Sequence, residues 1–85
     1  MVIRTLGATE EEAARFHAGE QSFLIRSEKE VWNKGDCFNL QVFRNKRRIM
    51  NKGEDILYVV TGAYDSRTVP LLPGFQVIAS RRVKQ

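Results

Sequence analysis

The chain has one cysteine, Cys37, and one histidine, His17, so neither a disulfide nor a zinc site can brace its fold from within. With only 85 residues, that is a strong constraint. A domain of this size buries only roughly 60% of the surface its unfolded chain exposes, so apolar packing has to supply nearly all the stability. Residues 1–85 therefore read as a single domain around one core. The lone cysteine, and an N-terminus (Met1-Val2-Ile3-Arg4) without a signal-like apolar run, point to a reducing, cytoplasmic setting. No segment approaches the roughly 20 apolar residues that a membrane span needs.

Local patterning predicts one helix and several strands. In Thr9-Glu10-Glu11-Glu12, Thr9 is placed to cap the first backbone N–H groups while Glu12 reaches back, as in a capping box. Ala13, Ala14 and Ala18 favour helix, and Gly19 offers a left-handed stop. Four later segments have strand composition: Ser22–Arg26, the stretch carrying Phe38, Leu40 and Val42, Ile56–Thr61, and the stretch carrying Phe75, Val77 and Ala79. Arg47–Met50 is placed to pair back as a hairpin arm. Turn signals separate these segments at Lys34-Gly35-Asp36, Arg44-Asn45-Lys46, Asn51-Lys52-Gly53 and Pro73-Gly74. The expected fold is mainly β (α+β), a small closed or nearly closed β-barrel that hides its strand edges, with one N-terminal helix packed on it. Its expected core is Phe16, Phe23, Ile25, Phe38, Leu40, Val42, Tyr58, Val60, Phe75 and Val77.

In order along the chain, Gly19 ends the helix, Ser22-Phe23-Leu24-Ile25-Arg26 follows, then Trp32-Asn33-Lys34-Gly35-Asp36-Cys37-Phe38, and finally Pro73-Gly74-Phe75. This series resembles the ASCH domain of the PUA-like superfamily, closest to short phage and bacterial ASCH-related proteins of unknown function. Gly19, Arg26 seven residues on, and the Gly35-Asp36 turn carry the match. The resemblance implies a PUA-like barrel and a cleft between helix and barrel suited to RNA or a nucleotide-like ligand. Some relatives resemble small amidohydrolases acting on acetylated cytidine, with a lysine two residues after the glycine and a threonine on the next strand. Those positions here are Gln21 and Leu24, which supply neither a proton acceptor nor a nucleophile.

Charge points the same way. Residues 1–42 hold five Lys/Arg against seven Asp/Glu, and residues 43–85 hold nine against three, so the second half is strongly basic. Such a half suits a polyanion, or is simply a solvated face. The expected RNA- or nucleotide-binding residues are Gln21, Ser22 and Arg26 in the cleft and Arg44, Lys46, Arg47 and Arg48 on a turn beside it. Arg26 has an alternative, an ion pair with Glu20 or Glu28. Arg81, Arg82 and Lys84 read as a basic tail. Trp32 and Cys37 read as packing residues, and His17 as a surface residue beside the helix dipole. No catalytic set, metal site or cofactor motif emerges, as neither Gly-x-Gly nor Gly-Lys-Ser/Thr occurs. Two other readings remain open: a hydrolase with reassigned residues, Ser22 with Glu20 or Lys29, and a protein adaptor that uses Glu10-Glu11-Glu12.

Overall fold

The computed structural model describes residues 3–49, 55–68, 70 and 73–83. The chain runs β1 (Ile3–Thr9), α1 (Glu10–His17), β2 (Phe23–Ser27), β3 (Cys37–Arg44), β4 (Arg47–Ile49), β5 (Tyr58–Asp65) and β6 (Phe75–Arg82). These strands form one sheet ordered β1-β3-β5-β6-β2, with β4 alongside the far end of β3. β1 and β3 are parallel, from Ile3 opposite Cys37 to Thr9 opposite Phe43, and the other pairings are antiparallel.

The helix boundaries follow from local chemistry. Thr9 Oγ1 accepts the Glu12 N–H at 3.2 Å, which satisfies one of the unpaired donors of the first turn. At the other end Gly19 takes φ +79°, the Gly19 N–H reaches Phe16 O, and the Glu20 N–H reaches Arg15 O at 2.9 Å. That pair of bonds is a Schellman stop. The Glu12 carboxylate does not complete a capping box, because it binds Arg26.

Ala13 and Phe16 press the helix onto the sheet, where Phe16 meets Tyr58 edge-on at 4.4 Å between ring centroids. Phe38 lies between Tyr58 and Trp32, at 5.6 Å from each. Trp32 is buried, and the Arg4 guanidinium sits 3.6 Å above its ring. Leu6, Leu24, Leu40, Val42, Val60 and Ile78 complete this single core.

Several expectations require correction. Phe23, Ile25 and Phe75 lie on the outer face, each more than 40% exposed, and Val77 is only half-buried. Leu24, Gln76, Ile78 and Ser80 point inward in their place. Side chains alternate along a strand, so β6 is in the opposite phase to the expected one, and β2, whose apolar run suggested cover on both faces, is covered only on its Leu24 face. Gln76 makes an inward polar residue acceptable by donating to Ser27 O and Glu30 O, at 2.9 and 2.6 Å. Strand β1 went unanticipated; its Leu6 and Ala8 are core residues.

The expected barrel is, among the described residues, an open sheet whose edges β1 and β2 share no ladder. The Arg26 side chain spans these edges, donating to Gly7 O of β1 at 2.8 Å and to Ile25 O of β2 at 2.7 Å. Arg47–Ile49 does pair back on β3, through the two-residue turn Asn45-Lys46 with φ +50° and +65°. Two positive φ values fit a hairpin turn matched to strand twist. Met50 and the Asn51-Lys52-Gly53 turn lie outside the described residues.

Candidate functional site

The Schellman stop turns the chain sharply after α1 and delivers Gln21 and Ser22 to the start of β2. There the Ser22 carbonyl accepts the Ser80 N–H of β6 at 3.0 Å. A cleft of about 260 Å³ opens at this junction, lined by residues 16–19, Gln21, Ser22, Tyr58 and Ser80–Arg82. Its size is close to the lower end of small-molecule sites, about 300 Å³.

His17 and Tyr58 both line the cleft. His17 Nδ1 and the Tyr58 hydroxyl are 2.6 Å apart, with their rings stacked. Burial pushes the His17 pKa below 6.5 and Arg82 adds to this, while burial raises the Tyr58 pKa above 10.0 against the pull of Arg82. His17 is thus half-buried with a partner, where a surface residue was expected. Among the described residues, His17 Nε2 of this pair and Ser80 Oγ are buried with no hydrogen-bond partner. A buried polar group in that state costs about 1–3 kcal/mol.

Of the expected contact residues, Gln21 and Ser22 share this cleft. The Gln21 side chain is engaged within the protein, accepting from Arg15 Nε at 3.1 Å and donating to Phe23 O at 2.7 Å. Arg26 is not among the lining residues. It forms a two-pronged ion pair with Glu12, at 2.7 and 3.4 Å, instead of pairing with Glu20 or Glu28.

Arg44, Lys46, Arg47 and Arg48 are all exposed on the β3–β4 hairpin. Arg44 is held by Glu10 through Nε and through Nη2, the latter at 3.0 Å, which lowers the Glu10 pKa and raises that of Arg44. In the cleft the cations are Arg81 and Arg82, which belong to β6 and not to a tail; Lys84 lies outside the described residues.

Cleft residues Tyr58, Ser80, Arg81 and Arg82 were not legible as a site, because only the β5–β6 pairing brings them to the helix end. Together the cleft groups offer cations, hydroxyls and an imidazole, a set that can hold a phosphate and the polar edge of a base. Among the described residues no hydrogen bond joins His17 to Ser22 or Ser80, and no three His, Cys, Asp or Glu side chains gather as metal ligands. No described helix is long and apolar enough to cross a membrane. No protein-family model matches the chain, and no curated protein matches it significantly.

Proposed function

We propose that this chain is an ASCH-like module of the PUA-like class that binds RNA or a nucleotide, in the cytoplasm, through the cleft at the end of α1. The observation that supports this reading is that Arg81 and Arg82 line one cleft with Gln21 and Ser22 at the end of α1. A ligand phosphate there would neutralise the arginines and accept charge-assisted hydrogen bonds from them. The resemblance implies a cleft between helix and sheet, and this cleft is lined by residues of the α1 end and of β5 and β6. Arg26 supports a barrel-like arrangement, since its hydrogen bonds tie the two sheet edges together.

The test is titration of an RNA oligonucleotide at several salt concentrations. Affinity is expected to fall with salt by about 0.7 log units per log unit for each phosphate neutralised on a single strand. Replacing Arg81 and Arg82 together with alanine should flatten that slope by roughly 1.4. Salt-independent binding, or a slope the double variant leaves unchanged, refutes the cleft as the site.

One observation favours a hydrolase as the second reading: His17, whose pKa burial lowers, shares the cleft with Ser22. Against acetylated cytidine as substrate stands Leu24, which is fully buried at the position where the resemblance expects a nucleophile. Incubation with that nucleoside should give no product. Turnover abolished by Ser22→Ala would put the hydrolase reading first.

A further inference from the structure

Phe43 is an unused aromatic beside the densest group of cations. It ends the outer face of β3, 38% exposed, where burial would have been the favourable place for a phenyl ring. Its ring rests against Gly7 of the neighbouring strand. A Cβ at position 7 would lie 3.2 Å from Cε2 and 3.5 Å from Cδ2, so any larger residue there would push the ring outward by a few tenths of an ångström. One part of the ring is supported by backbone and the rest faces solvent. Such a ring has already given up much of its side-chain freedom, so stacking a ligand on it costs little further entropy.

The charges around it are arranged unevenly. Register puts Arg48 opposite Phe43, hence on the same face, while Arg44 and Arg47 pair on the other face and Lys46 stands in the turn. On the helix side Glu10, Glu11 and Thr9 line a shallow depression with Phe43 and Arg44, where Arg44 neutralises Glu10. Phosphates are therefore disfavoured near Glu11 and favoured toward the Lys46 end of the hairpin. A base on the ring, with its backbone following the hairpin, satisfies both sides.

We infer that Phe43 and the β3–β4 hairpin form a stacking site for single-stranded nucleic acid, apart from the cleft; this rests on the nucleic-acid reading above and adds the strand class and the contact residue. A duplex keeps its base faces covered by neighbouring bases, and a single strand offers them to an aromatic ring. The cations of the hairpin supply the complementary charge that an apolar protein partner would not use.

The experiment is anisotropy titration of the full chain with a labelled 12-nucleotide oligoadenylate and with a blunt duplex of equal length. Phe43→Ala should weaken single-strand binding about 5- to 150-fold, as for the loss of one stacked base. The salt slope should stay the same, because no phosphate contact is removed. Phe43→Leu keeps apolar cover over Gly7 and should weaken binding as well, with thermal melting confirming that both variants are folded. If the wild type binds but both variants bind within twofold of it, the stacking site is overturned and the cleft reading stands. Equal affinity for duplex and single strand likewise overturns it. No binding of any oligonucleotide at low salt removes both.

Discussion

Arg26 decides between two views of the same residue, a ligand contact or a brace between strands, and replacing it with alanine separates them. Its guanidinium makes the two-pronged pair with Glu12, both side chains 20% exposed, and donates to one carbonyl on each edge strand. A hydrogen bond to a charged group is worth roughly 1.5–3 kcal/mol when buried. Partial exposure here lets water replace some of what is lost, especially at the exposed carbonyls of Gly7 and Ile25. The expected cost of Arg26→Ala is therefore about 2–3 kcal/mol, a large share of the roughly 4–13 kcal/mol available to a domain of this length. The melting temperature should fall by roughly 10–20 °C. A double-mutant cycle with Glu12→Gln, read by urea unfolding, should return a coupling of about 1–2 kcal/mol. A variant that melts within about 2 °C of the wild type, or that shows no coupling to Glu12, refutes the brace.

Three further outcomes follow from the same structure. Leu24→Ala should cost about 2–5 kcal/mol in urea unfolding while Phe23→Ala costs under about 1 kcal/mol, since only Leu24 is buried, and the reverse order would restore the expected strand phase. The folded-state pKa of His17 lies below 6.5, so the unfolded chain takes up its proton first as pH falls; stability from this residue is full above about 6.5 and declines below it. His17→Gln should make unfolding less sensitive to a change from pH 7.5 to pH 5.5, and identical sensitivity in both proteins would contradict this. Lys46→Gly relieves a positive φ of 65°, so it should raise stability by about 0.5–1 kcal/mol yet lower the salt slope of RNA binding by about 0.7.

What could be read from the sequence was whatever is specified by near neighbours. Thr9 and Gly19 mark the ends of α1 because capping and left-handed stops involve only a few adjacent residues. The inward row Phe38, Leu40 and Val42 was legible because its alternates, Asn39 and Gln41, are polar. β2 gave no such contrast, since Phe23, Leu24 and Ile25 are all apolar. β6 misled outright: its apolar row Phe75 and Val77 faces outward, while Gln76 turns inward to bond Ser27 of β2 and Glu30 of the loop after it. β1 was missed because Gly7 and Ala8 dilute its β character, and its strand state comes from pairing with β3. The site divides in the same way. Gln21 and Ser22 could be placed by their distance from Gly19, but Ser80, Arg81 and Arg82 reach the cleft only through the β2–β6 and β5–β6 ladders. Arg26 was read as a ligand contact or a partner of Glu20 or Glu28, and its pairing with Glu12 could not be read from near neighbours.

The most direct test of the central claim is mapping of amide chemical shifts in the labelled protein as a nucleoside monophosphate is added. The cleft reading predicts a saturable response concentrated at residues 19–22 and 80–82, together with the Tyr58 amide, and weakened by added salt. Responses confined to the depression between Glu28, Trp32 and Arg67 at the other end of β5, or no response at millimolar nucleotide, would contradict it.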